Sequence, residues 1–96
     1  MKIEKQVNGG TVTIIPEGWF DTKAAPEFEA VRMDIPDDVE NMVIDCKSLE
    51  YISSSGIRQF VAAFKQMNGN LVLRNTSPEI MEVMDLTGVS NRIRIE

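Results

Sequence analysis

The 96-residue sequence predicts an α/β fold: one domain over residues 1–96 with a mixed, mostly parallel sheet and helices. Three observations carry that reading. Asn8-Gly9-Gly10 separates two β-type segments and is a hairpin turn signal, because these residues accept the positive φ that a tight turn needs. Beyond it, strand patterns alternate with helix-period patterns, as βαβ crossovers require. Met42 to Cys46 is apolar almost throughout, the pattern of a strand covered on both faces. The predicted order is β-β-α-β-α-β-α-β.

Each element has its own local warrant. Lys2 to Val7 alternates, with Ile3, Lys5 and Val7 on one side, which suits a strand with one wet face near a sheet edge. Thr11 to Ile15 is nearly all β-branched, and Pro16 is expected to end its ladder. Glu17 to Asp21 then reads as a connection that contains two large aromatics; Phe20 plugs the end of the core and Trp19 is available to a partner. Ala24, Ala25, Phe28 and Val31 form a short helical stripe, capped by Asp21 or Thr22, with Pro26 in the first turn where a missing N–H costs little. Asp34 to Asp38 is turn chemistry.

After the buried strand, Ile57, Phe60, Val61, Phe64 and Met67 fall at i, i+3, i+4, i+7 and i+10, an amphipathic helix with Arg58, Gln59, Lys65 and Gln66 outside. Asn68-Gly69-Asn70 stops it, and Leu71-Val72-Leu73 is another short strand. Thr76-Ser77-Pro78-Glu79 opens the last helix with a capping residue, a first-turn proline and an acid at the positive helix end. Ile80, Val83, Met84 and Thr87 are its expected inner stripe, Gly88 its end, and Arg92 to Ile95 a closing strand with Ile93 and Ile95 inward.

Composition removes several function classes. A formal charge of −5 argues against nucleic acid or anionic lipid as the main partner, since both call for a basic surface. No apolar run has the length of a membrane span, and the opening residues do not read as a signal peptide. The single cysteine, Cys46, has no internal partner, which fits a reducing cytoplasm. With no histidine, Ser–His and Cys–His dyads are excluded, and no GxxxxGK[ST] phosphate loop is present.

What remains is Ser53-Ser54-Ser55-Gly56, three hydroxyls where a strand gives way to a helix. One serine is expected to cap the helix while a neighbour faces out and is open to regulatory phosphorylation. Asp21 and Asp45 both follow predicted strands, but without a histidine or metal ligand beside them they read as a helix cap and a strand end rather than an acid/base pair. A serine hydrolase or nucleotide-using enzyme centred on Ser54 lacks a base and a phosphate loop.

Asp45-Cys46 together with Ile52-Ser53-Ser54-Ser55-Gly56-Ile57-Arg58 resembles the signature of the STAS domain, and within it the single-domain bacterial anti-sigma-factor antagonists. Gly18-Trp19-Phe20-Asp21 is similar to that family's Gly-x-Leu-Asp element, and Asn75 to Pro78 and Asp85 to Val89 extend the similarity over essentially the whole chain. The resemblance implies a STAS-like fold and a small cytoplasmic switch without catalytic activity or cofactor, a monomer when alone. In this family the unphosphorylated antagonist binds an anti-sigma factor that is itself a serine protein kinase, and so frees a sigma factor. Phosphorylation blocks binding and a serine phosphatase restores it. By position the acceptor is Ser54, with Ser53 and Ser55 as secondary candidates, and the family's Asp before the acceptor is Ser53 here. The implied contact surface is the Gly18–Asp21 loop together with Leu49 to Gly56 and the exposed start of the following helix, and within it Gly18, Trp19, Asp21, Ser53, Ser54, Ser55, Gly56 and Arg58. The alternative is a STAS subunit or scaffold of a membrane transporter or larger sensory complex.

Overall fold

In the computed structural model, which describes residues 1–96, the chain opens with the expected hairpin. Strand β1 (Lys2–Asn8) runs antiparallel to β2 (Thr11–Phe20), with Asn8 opposite Thr11 and Gly9 at φ +63° in the two-residue turn.

Strand β2 does not stop at Pro16, as the sequence predicts, but continues to Phe20. It changes partner on the way. Its first half pairs in parallel with β3 (Asn41–Asp45) up to Ile14↔Ile44, and its second half pairs in parallel with β4 (Leu49–Ile52) from Gly18↔Leu49. Pro16 lies in the gap between the two ladders, where no parallel partner needs the N–H it lacks. Strand β4 is itself an addition to the predicted order. Leu49 and Ile52 are buried and Glu50 and Tyr51 exposed, so its four residues present no strict alternation from which a strand is read.

The remaining strands are β5 (Leu71–Arg74) and β6 (Arg94–Ile95), each parallel to its neighbour, and the sheet order is β1-β2-β3-β5-β6 with β4 beside β2. Only β1–β2 is antiparallel, the mixed and mostly parallel sheet that the sequence predicts.

Three helices supply the other layer: α1 (Ala24–Met33), α2 (Ser54–Gln66) and α3 (Pro78–Leu86). The core joins Val12 and Ile14 of β2, Met42 and Ile44 of β3, and Leu71 and Leu73 of β5 to Phe28, Phe60, Ile80 and Met84 from the helices. Register places those strand residues on one face, so one stripe of each helix closes one side of the sheet. Met42 and Ile44 of β3 face the helix-covered core, whereas Val43, on the opposite face, lies outside it and lines a surface depression with Val72 and Arg74, so the cover on both faces that the sequence predicts is incomplete.

Two helix faces depart from the predicted stripes. Thr87 is exposed at the end of α3, where its hydroxyl donates to the Val83 carbonyl at 2.7 Å alongside its own backbone amide at 3.0 Å. Gln59 and Gln66, assigned to the outside of α2, are half-buried because they enclose Arg32 of α1. The Arg32 guanidinium donates to Gln59 Oε1 at 2.9 Å and Gln66 Oε1 at 2.8 Å, and Gln66 Nε2 donates back to the Arg32 carbonyl at 2.7 Å. A buried cation is tolerated here because amide oxygens replace the water it loses. Gly88, at φ +79°, ends α3, a 3-10 turn (Val89–Asn91) follows, and the closing strand expected over Arg92 to Ile95 is ladder-paired only at Arg94–Ile95.

Candidate functional site

Helices α1 and α2 begin where two parallel strands end side by side. Phe20 closes β2 opposite Ile52, which closes β4, and the Ser53 amide donates to the Phe20 carbonyl at 2.8 Å. Asp21 and the three serines therefore emerge at one edge of the sheet. Carboxyl ends of parallel strands are where open α/β sheets collect functional groups, since helix starts and loops converge there.

The serines divide by environment. Ser53 is the N-cap of α2, extended at φ −86° and ψ 172°, and its Oγ accepts from the Gly56 amide at 3.2 Å. Ser54, the first residue of α2, is exposed, and its hydroxyl has no protein partner. Ser55 is half-buried. One serine thus caps while its neighbour faces solvent. The residue pattern alone leaves open which serine caps, while the family resemblance assigns the acceptor to Ser54; α2 starts at Ser54 rather than Ile57 because Ser53 holds its first turn.

Gly56 is buried under the turn and presents nothing to a partner. A Cβ there would sit 2.7 Å from Ile52 Cγ1 and 2.9 Å from Phe20 Cδ1. The glycine lets α2 start directly against Phe20, whose ring packs with Phe28 and Phe60 at centroid separations of 4.9 and 5.8 Å. Phe20 plugs the core as expected.

Trp19 points the other way and is 62% exposed. It stands on a strand, not in a loop, and its neighbour across the ladder is Tyr51, with ring centroids 4.7 Å apart and planes tilted by 31°. Tyr51 lies within the Leu49–Gly56 stretch of the expected contact surface, but its pairing with Trp19 rests on the β2–β4 register, which the sequence pattern does not announce. The pair is a fixed, amphipathic platform, since the strands immobilise both backbones before any partner arrives. Glu17, Glu50 and Arg58 are exposed as well.

The two aspartates have structural duties. Asp21 Oδ1 accepts from the Ala24 amide at 3.0 Å and opens α1, while Asp45 Oδ1 accepts from the Lys47 amide and from Asn75 Nδ2, both at 3.1 Å, tying the β3–β4 turn to the loop before α3. Burial, and secondarily the Asp45 carboxylate, pushes the Cys46 thiol up to about 12, so it stays protonated at neutral pH and is a poor nucleophile. No group of three or more Cys, Asp or Glu side chains is disposed to hold a metal ion. The larger surface depression, about 500 Å³, is lined by Met33, Ile35, Val39 and Met67 with Asp37 and Glu40, and none of the serines or of Gly18–Asp21 contributes to either depression. The exposed chemistry of this edge suits a protein surface better than an enclosed small molecule.

Comparison with known proteins agrees with this geometry. The family model of the STAS domain matches residues 2–96. The anti-sigma-B factor antagonist of Bacillus subtilis is 24% identical over 98 residues, covering 99% of this chain and 90% of its own. A Bordetella bronchiseptica protein named as an anti-sigma factor antagonist, BtrV, is 28% identical over 92 residues, covering 92% and 79%. Among solved structures, the anti-sigma factor antagonist SpoIIAA in its unphosphorylated form superposes with a TM-score of 0.78 at 20% identity, covering 99% of this chain and 87% of that one. The phosphorylated form of SpoIIAA, from Bacillus, gives 0.68 at 17% identity, covering 99% and 91%. The structural likenesses establish the fold. No helix is long and apolar enough to cross a membrane.

Proposed function

The chain belongs to the STAS domain family, and from that premise we propose that it is an anti-sigma-factor antagonist switched by phosphorylation of Ser54. In this reading it is a cytoplasmic binding module and not an enzyme. Unphosphorylated, it docks on an anti-sigma factor that is also a serine kinase, and the sigma factor held there is released. The kinase transfers the γ-phosphoryl group of ATP to Ser54 Oγ, the hydroxyl proton is lost and ADP leaves. A serine phosphatase hydrolyses the ester and restores the binding form.

The observation that carries the reading is the division of labour among the serines: Ser53 Oγ is committed to the Gly56 amide, and Ser54 is exposed with no protein partner. Ser54 is therefore the hydroxyl that a kinase reaches without disturbing the helix. Its phosphate carries about −1.5 to −2 charges and appears on the exposed start of α2, within the proposed contact surface. A hundredfold loss of affinity is about 2.7 kcal/mol, and a charge stranded in an interface costs several kcal/mol, so one phosphate suffices to switch binding without refolding the domain.

The relatives support the partner class through their names, and SpoIIAA is known in both phosphorylated and unphosphorylated forms. The replacement of the family's Asp by Ser53 keeps the capping function, because serine and aspartate cap helices about equally well. The test is intact mass of the protein from its own host, before and after phosphatase treatment, with the site mapped. One phosphate on Ser54 is expected; a chain that stays unmodified through growth, stress and stationary phase would overturn the switch.

A further inference from the structure

We propose that Arg58 is the intramolecular receptor of the Ser54 phosphate, so that one modification both adds an anion to the binding surface and withdraws its free cation. The inference rests on Ser54 as the modified residue and deepens that reading.

Arg58 follows Ser54 by four residues in α2, which places it on the same helix face one turn on, about 6 Å along the axis. Both residues are exposed, whereas Gly56 and Ile57 between them are buried. Side chains in an α-helix lean toward the N-terminus, so the long Arg58 stem is directed back over the turn that begins with Ser54. An anion N-terminal to a cation at this spacing is the favourable order for an i, i+4 pair.

Arg58 is also free to respond. Arg32, Arg74 and Arg94 each meet a glutamate, while Arg58 has neither an ion pair nor a hydrogen bond. The first turn of α2 contains no acid that competes for it. On the elements packed against α2 the ionisable groups are Glu50 and Tyr51 of β4, Asp21 just after β2, and Glu27, Glu29 and Arg32 of α1; none bonds Arg58, Asp21 accepts from the Ala24 amide, Glu27 meets the N-terminus and Glu29 meets Arg32. A guanidinium matches a phosphate in two parallel N–H···O bonds, a geometry no lysine reproduces.

Before modification this rim therefore carries an exposed positive charge suited to a carboxylate of the partner. Afterwards the same arginine is held by the phosphate, and the local charge reverses. Attraction is removed in the step that introduces repulsion.

The experiment installs phosphoserine at position 54 by genetic-code expansion and follows the second ionisation of the phosphate by phosphorus NMR at low salt. The phosphate of the otherwise unchanged protein is expected to titrate about 0.2–0.4 pH units lower than in Arg58→Gln. Arg58→Lys should fall between them, and the difference should shrink in molar salt. Arg92→Gln, which removes another arginine without an ion pair, should leave the titration in place. Equal titration in the parent and in Arg58→Gln, or an equal shift from Arg92→Gln, would overturn the pairing. Because the phosphoserine is incorporated during translation, this result is independent of whether a host kinase modifies Ser54.

Discussion

Arg32 and Gln66 hold each other twice: the guanidinium Nη1 donates to Gln66 Oε1 at 2.8 Å, and Gln66 Nε2 donates to the Arg32 carbonyl at 2.7 Å. This reciprocal pair fixes the last turn of α1 against the last turn of α2, and so sets how α2 lies over the sheet. Arg32→Ala should cost about 2 kcal/mol in urea unfolding, since it strips partners from two half-buried amides and leaves a gap. Arg32→Met keeps the volume and should cost less. Gln66→Ala combined with Arg32→Ala should cost less than the sum of the two.

Gly56→Ala tests the contact beneath the serines. Alanine is ordinarily the better helix residue by about 1 kcal/mol. Here its Cβ would lie 2.7 Å from Ile52 Cγ1, so the substitution should instead destabilise by about 1–3 kcal/mol, read from the urea midpoint.

Ser53→Ala removes the α2 cap and should cost about 1 kcal/mol. Ser53→Asp restores a capping oxygen and adds a charge favoured at a helix start, so stability should be unchanged or slightly raised. Ser54→Ala, at an exposed hydroxyl without a partner, should stay within about 0.5 kcal/mol of the parent. That contrast separates the structural serine from the one open to modification.

Cys46 gives stability a dependence on alkali. Burial raises the folded thiol to about 12 from an ordinary 9.0, so above pH 9 the unfolded chain binds fewer protons than the folded one. The contribution is complete below pH 9 and is lost as pH rises from there toward 12, by up to about 1.4 kcal/mol per pH unit. Urea midpoints at pH 8 and pH 10 should therefore fall more in the parent than in Cys46→Ala. A thiol reagent at pH 8 should label Cys46 only on unfolding.

Much of the architecture was legible in local sequence. The hairpin at Asn8-Gly9-Gly10, the α2 stripe from Ile57 to Met67 and the Ser77-Pro78 helix start each rest on residues within one element, and Ser77 Oγ does accept from the Ile80 amide at 3.2 Å. What escaped depends on partners distant in sequence. Strand β4 and the second half of β2 exist as strands because they pair with each other across some thirty residues, a ladder that neither segment announces by its own pattern. The burial of Arg32 likewise requires amides 27 and 34 residues away. The serine cluster is legible as a candidate site, and the resemblance singles out Ser54, but that Ser53 is the capping residue emerges only from the geometry of the first turn of α2.

The most direct measurement is the affinity of the chain for the serine-kinase anti-sigma factor of its own host, by calorimetry, with and without phosphoserine installed at position 54. Binding should weaken at least about a hundredfold, or about 2.7 kcal/mol, while the amide spectrum away from the start of α2 stays unchanged. Equal affinities for the two forms, with the fold intact in both, would contradict the switch at Ser54.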